Sequence, residues 1–144
     1  LMLFYTGTSR ISSEITESQL LNMGNCSSQM HELYEMVDEG SSILTNPDKP
    51  LEEFGKLLNR AWLTKRTLSN KITNNKIDNL YSVAIKAGAL GGKILGAGGG
   101  GFVLFFVKPE NQDKVKKALS NLTFVPFKFE SSGSKVIVYQ PSGF

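Results

Sequence analysis

The chain has 144 residues, of which 40% are hydrophobic and 20% charged, a balance that suits one compact domain with enough apolar surface to form a core. Its sixteen Lys and Arg outnumber thirteen acids for a formal net charge of +3, but they are spread from Arg10 to Lys135 instead of gathered on an arm or beside a reading element, so no nucleic-acid partner is expected. No apolar run reaches about 18 residues, and no charged-then-apolar leader is present, so neither a membrane partner nor secretion is expected and the location reads as cytoplasmic. Cys26 is the single cysteine and reads as a small buried hydrophobe. The sequence enters an apolar stretch directly at Leu1, which reads as a fragment of something longer.

In chain order, residues 1 to 6 read as a short buried strand that ends in the turn Thr6-Gly7-Thr8-Ser9. From Glu14 to about Leu44 the pattern is helical. Ser12 or Ser13 is the candidate N-cap, Met30, Leu33, Met36 and Val37 fall at helical spacing, and Gly24 is a candidate break. After the loop Thr45 to Pro50 a second helix is expected, opened by Asp48 and Pro50, with Leu51, Phe54, Leu58, Ala61 and Trp62 on one face and an end near Leu68-Ser69. A third starts at about Asn75, turns Ile77, Leu80, Tyr81 and Ala84 to one side and stops at Gly88.

A glycine-rich connection follows, and then Phe102 to Val107, continuously apolar and rich in aromatic and β-branched residues, reads as a central strand buried on both faces. Pro109 opens a further helix with Val115, Ala118 and Leu119 inward. Phe124 to Phe129 and Lys135 to Tyr139 read as a terminal hairpin around Ser131-Ser132-Gly133-Ser134, with Pro126 at an edge or bulge. The fold class is α+β, a small and mostly antiparallel sheet covered by helices.

Eight of the fourteen glycines fall between Gly88 and Gly101. Glycine inside an element costs roughly 0.5–1 kcal/mol relative to alanine, so this concentration needs a backbone reason. Successive N–H groups without side chains can converge on an anion, which makes Gly96, Ala97, Gly98, Gly99, Gly100 and Gly101 a candidate phosphate loop. A flexible connection between helix and strand is the plain alternative. Gly96, Gly98 and Gly101 match a dinucleotide fingerprint in spacing, but that motif must lead into a helix, and here a strand follows. The Walker A loop is excluded because no Gly-Lys-Ser or Gly-Lys-Thr closes the run.

The run Lys93-Ile94-Leu95-Gly96-Ala97-Gly98-Gly99-Gly100-Gly101-Phe102 resembles the C-terminal glycine motif of the GHMP small-molecule kinases. Within that family the chain looks most like bacterial sugar kinases acting on D-glycero-D-manno-heptose 7-phosphate. Three segments carry the likeness: Phe4 to Arg10, Ala61-Trp62-x-x-Lys65-Arg66-x-Leu68-Ser69, and Ala87 to Lys93. The resemblance implies that residues 1–144 form a ferredoxin-like C-terminal domain, with the nucleotide loop and the catalytic acid in an N-terminal domain that this sequence does not contain. It also implies a sugar phosphate, ATP and Mg2+ as ligands of an intact enzyme, and no turnover by this chain alone.

By the same resemblance the glycine loop would line the cleft, and Arg10 is the first substrate-binding candidate because a guanidinium can hold phosphate bidentately. Thr6 lies in the turn before it, and Ser12 supplies a hydroxyl where relatives carry threonine. Lys65, Arg66 and Lys93 are further phosphate candidates, though lysines and arginines on a helix or before a turn are ordinarily solvated. His31 reads as a helix-surface or satisfied core residue, the acidic sets Glu14/Glu17, Glu32/Glu35 and Asp38/Glu39 read as solvated helix charge, and no metal site is expected within the chain. A kinase acting on fucose or mevalonate, and a non-catalytic ligand-binding module on the same scaffold, remain the competing readings.

Overall fold

The computed structural model describes residues 1–8 and 12–139. Strand β1 (Met2–Tyr5) is followed by four helices, α1 (Ser12–Asn22), α2 (Ser27–Thr45), α3 (Glu52–Arg66) and α4 (Asn75–Lys86), with a short 3-10 turn at Met23–Asn25 between the first two. Then come β2 (Ala89–Ile94), β3 (Phe102–Val107), α5 (Pro109–Ala118) and β4 (Thr123–Val125). The strands form one antiparallel sheet in the order β2-β3-β1-β4. With α1 to α4 counted as a single crossover, this is the β-α-β-β-α-β arrangement of ferredoxin-like domains, as the α+β reading expects.

Alternation along the strands builds the core. Met2 and Phe4 on β1 stand opposite Phe105 and Val103 on β3, and all four are buried on the helix-covered face. Phe4 meets the Phe105 and Phe124 rings edge-on at 6.3 and 5.5 Å between centroids. Trp62, Ile77 and Val115 on the helices, with Ile72 from the α3–α4 connection and Leu119 just after α5, close the core.

Several local signals act as expected. Ile77, Leu80, Tyr81 and Ala84 are buried on α4; the cap of that helix is Asn74, which the sequence reading does not name and which accepts from the Ile77 N–H at 3.1 Å. Gly88 takes a φ of +111 after that helix, and Pro109 opens α5. Gly24 lies in the 3-10 turn that divides the first helical stretch. Cys26 is buried, and His31 is exposed beside Glu35 at 3.3 Å.

Other expectations are corrected. Met30 and Val37 are exposed, because only one stripe of α2 touches α3, through Leu33, Met36, Gly40 and Ile43. α3 begins at Glu52 with Leu51, and not Asp48, at its N-cap position; Leu51 is itself exposed, and Leu57 is more deeply buried than Leu58. That helix ends at Arg66, slightly before Leu68. β3 is interior to the sheet but buried on one face only: Val103, Phe105 and Val107 are enclosed, whereas Phe102, Leu104 and Phe106 keep some exposure. Ala118 is exposed.

The largest differences lie at β2 and at the C-terminal end. The sequence reads Ala89 to Ile94 as loop, yet it is an edge strand. The expected terminal hairpin is not formed among the described residues: β4 stops at Val125, and Val136 to Tyr139 lie exposed without strand pairing. Pro126 has no N–H with which to extend the ladder past that point.

Candidate functional site

Residues 95 to 101 join β2 to β3, with the Leu95 N–H donating to Phe102 O at 2.8 Å to close the base of the loop. Gly96, Gly98, Gly99 and Gly101 adopt φ values of +75, +121, +73 and +83, a region in which side chains are strained. A second constraint acts at Gly98 and Gly100. A β-carbon on Gly98 would stand 2.7 Å from Ile72 O, and one on Gly100 would stand 2.8 Å from Thr8 O. Two chain segments therefore press against the bare backbone of the loop.

Hydrogen bonds fix it there. Gly99 N–H donates to Ile72 O at 2.8 Å, and the Asn74 side-chain amide donates to Gly99 O at 3.3 Å. Gly101 N–H donates to Thr8 O at 2.7 Å, while Gly101 O accepts from both the backbone N–H and the hydroxyl of Thr6, each at 2.9 Å. Gln19 on α1 donates to Ala97 O at 3.0 Å, and the Lys65 ammonium on α3 donates to Gly96 O at 2.6 Å. The loop is held from four sides, which removes the reading of a flexible connection. Two of its N–H groups are consumed in this way. Those of Gly96, Ala97, Gly98 and Gly100 have no hydrogen-bond acceptor among the described residues.

The candidates gather unevenly around the loop. Thr6 is fully buried beneath it, with its hydroxyl turned to Gly101 O and 3.1 Å from the Thr8 hydroxyl. Ser12 is exposed at the first turn of α1, and Arg10 lies outside the described residues. Lys65 is half-buried against the loop; burial pushes its ammonium below the usual lysine range, and the neighbouring Lys93 charge adds to the shift. Arg66, one residue further, is turned away into an ion pair with Asp78 on α4 at 3.0 Å.

Support for the loop comes from β2. Tyr81 is buried, and its hydroxyl accepts from Gly92 N–H at 3.1 Å and donates to Asn59 Oδ1 at 2.8 Å. The sequence reading singles out none of Thr8, Gln19, Ile72 or Asn74. Only Asn74 has a local signal, as a cap-type residue just before a helix; the others act through backbone carbonyls or a helix-surface amide and leave no pattern. A separate apolar groove bordered by Leu44, Phe54, Leu104, Phe106 and Phe129 shares no residue with the loop.

Residues 44–124 match the family described as "GHMP kinases C terminal". The chain is 30% identical over 120 residues to D-glycero-alpha-D-manno-heptose 7-phosphate kinase from Campylobacter jejuni, an alignment covering 82% of this chain and 35% of that protein. It is 34% identical over 110 residues to the mevalonate kinase of Thermococcus gammatolerans, covering 74% and 29%, and 29% identical over 131 residues to the L-fucokinase/L-fucose-1-P guanylyltransferase of Bacteroides fragilis, covering 83% and 13%. The chain thus spans about a third or less of the length of these relatives. Mevalonate kinases from L. major and Methanococcus jannaschii share its fold, with TM-scores of 0.69 and 0.70 over 83% and 86% of this chain and 37% of each of theirs, at 21% and 23% identity.

Proposed function

This chain belongs to the GHMP kinase family, and from that premise we propose that residues 1–144 form the C-terminal domain of an ATP-dependent sugar-phosphate kinase that converts D-glycero-D-manno-heptose 7-phosphate to the 1,7-bisphosphate. The pinned glycine loop is the observation that carries this reading. Its backbone is fixed at Gly99 and Gly101, and the N–H groups of Gly96, Ala97 and Gly98, at its partly or fully exposed side, have no acceptor among the described residues. Phosphoryl transfer depends mainly on positioning and on neutralising charge over the phosphoryl oxygens, and preformed donors cost no reorganisation when that charge develops.

The similarity to the heptose 7-phosphate kinase supports the choice of sugar, while likeness to mevalonate kinases and fucokinases keeps those substrates as comparators. Nucleotide phosphates fit the same loop chemically. In this reading the acidic ligands of a nucleotide-bound Mg2+ would come from an N-terminal domain. That domain would also supply the catalytic acid. In this reading the present chain contributes one wall of the cleft and the anchoring of its loop, and Arg10 lies on the segment leading from Thr6 towards α1.

Coupled ADP-release assays on the intact kinase, run with heptose 7-phosphate, fucose and mevalonate, test the proposal. Turnover with heptose 7-phosphate above the other two is expected, and preference for fucose or mevalonate would replace the substrate. Absence of turnover with all three would favour the non-catalytic module. The 144-residue chain alone should release no ADP. Arg10→Ala in the intact enzyme should raise KM for the sugar phosphate more than for ATP; unchanged kinetics would remove Arg10 from the site.

A further inference from the structure

Beyond β4 the chain carries strand chemistry with no strand beside it. The family match ends at residue 124 and β4 at Val125, and Pro126 then stops the ladder. Phe127 and Phe129 alternate with Lys128 and Glu130, the pattern of a strand with one apolar face, and the two rings meet edge-on at 5.6 Å between centroids. Val136, Ile137, Val138 and Tyr139 form a continuous apolar run, the pattern of a strand covered on both faces, yet all four are at least 74% exposed.

The connection between these two stretches is already built. One carboxylate oxygen of Glu130 accepts from the Ser131 and Ser132 N–H groups at 3.1 and 3.0 Å and from the Ser132 hydroxyl, and Gly133 takes a φ of +63. A formed turn between two strand-type stretches is a hairpin that lacks a sheet, because two strands alone are marginal in water and need a third beside them.

Neither edge of the existing sheet supplies that third strand. β4 has three residues and ends at Pro126, and on the β2 edge the Gly92 N–H is already taken by the Tyr81 hydroxyl at 3.1 Å. A second copy of the chain would offer the same two edges. Leu1 and Phe129, however, border the same apolar groove, so polypeptide entering at Leu1 arrives where the hairpin begins. The similarity to the heptose 7-phosphate kinase covers 35% of that protein, so most of the relative's length lies outside this domain.

We infer that residues 127–139 are a hairpin arm whose second strand, residues 135–139, adds to a sheet edge in the domain that precedes Leu1. This rests on the reading above that an N-terminal domain precedes the chain. Main-chain hydrogen bonds to that edge hold the arm, and the apolar run at residues 136–139 is covered on both faces once it is inserted. Because the arm starts beside the point of entry, pairing within one protein is favoured over exchange between copies. β1 runs from the groove at Leu1 to Thr6 beneath the glycine loop, so the arm ties the two domains together at the end of β1 remote from that loop.

Amide hydrogen exchange on the intact kinase tests the arm. Residues 136–139 are expected to exchange roughly a hundredfold or more slowly than an unstructured segment, and free-segment rates there overturn the proposal. Ile137→Pro removes a donor in the middle of the strand. It should return residues 136–139 to free rates and speed exchange in one strand preceding Leu1, while β1 and β3 keep their protection. Acceleration confined to residues 1–125, or none outside the arm, overturns the assigned acceptor. Protection that disappears on dilution means pairing between copies and overturns it as well. ADP release measured on the same sample separates the arm from the kinase reading. Fast exchange at residues 136–139 in an active kinase sinks the arm alone, whereas a protected arm in a protein that turns over no sugar leaves the arm standing and overturns the kinase reading.

Discussion

Gly91 on β2 and Gly55 on α3 lie in backbone contact: a β-carbon on Gly91 would stand 2.0 Å from the Gly55 carbonyl oxygen and 2.7 Å from Asn59 N. No side chain fits that gap, and both obstacles are main-chain atoms of a helix. Gly55 faces the reverse constraint more mildly, since its β-carbon would meet Leu90 Cβ and Phe106 Cδ1 at 2.8 Å. Gly91→Ala must push α3 off the sheet and should cost about 3 kcal/mol or more. Gly55→Ala should cost less, because the gain of about 1 kcal/mol in helix propensity offsets part of the overlap. Urea unfolding of the two variants checks the order, and a Gly91→Ala protein as stable as Gly55→Ala would refute the contact.

The loop glycines should divide into two groups. Gly96 has a φ of +75 with no atom within 4 Å of a β-carbon, so Gly96→Ala should cost only the conformational strain, about 1–2 kcal/mol, and leave the loop seated. Gly98 has a φ of +121 and Ile72 O in the way, so Gly98→Ala should also displace the loop from Ile72 and break the Gly99 bond. Amide exchange at Gly99 measures that displacement directly. Faster exchange in Gly98→Ala, with near wild-type exchange in Gly96→Ala, is the expected pattern.

These glycines also explain which parts of the architecture are legible in sequence. Helices α4 and α5 follow from apolar spacing and from Gly88, Pro109 and their neighbours, all local features. β2 does not, because Gly91 and Gly92 remove the side chains that identify a strand, and their reason for being glycine lies on α3 and β3. The tail misleads in the opposite direction. Val136, Ile137 and Val138 have strand-type side chains, but pairing is decided by available partners, and β4 ends at Val125. At the site, the glycine run announces the loop, whereas Thr8 and Ile72 hold it through carbonyl groups that every residue possesses. Arg66 looks equivalent to Lys65 until Asp78, twelve positions away, is seen to claim it.

Tyr81 gives the domain an alkaline sensitivity of known sign. Burial pushes its hydroxyl up to about 12, against smaller opposing effects of the Gly92 hydrogen bond and the Arg66 charge. The unfolded chain ionises this tyrosine near a pKa of about 10 and so binds fewer protons than the folded chain above that pH. Stability from this group is therefore complete below about pH 10 and falls as the pH rises towards about 12. Between about pH 9 and about pH 11 the loss should be about 1.4 kcal/mol. Tyr81→Phe lowers stability at neutral pH by leaving Asn59 Oδ1 and Gly92 N–H without their partner, but it should flatten the alkaline slope by that amount. Denaturant titrations at the two pH values compare the slopes, and identical slopes would remove the assignment.

Thr6 supplies the deepest anchor of the loop and the clearest test of whether anchoring matters. Its side chain is fully buried, its hydroxyl and its own N–H both reach Gly101 O at 2.9 Å, and Gly101 N–H in turn reaches Thr8 O. Thr6→Val keeps the shape and the backbone bond while deleting the hydroxyl, so the carbonyl loses one of two donors at a cost of about 1–2 kcal/mol. Thr6→Ser keeps the hydroxyl and deletes a methyl, which weakens packing under β3 without touching the loop. Global stability alone would not separate the two, because both changes cost a comparable amount. Exchange of the Gly101 amide does, because it opens when the loop lifts from Thr8 and not only when the domain unfolds. Thr6→Val should accelerate that exchange beyond the change in global stability and Thr6→Ser should not; equal acceleration in both would mean that packing, and not the hydroxyl, seats the loop.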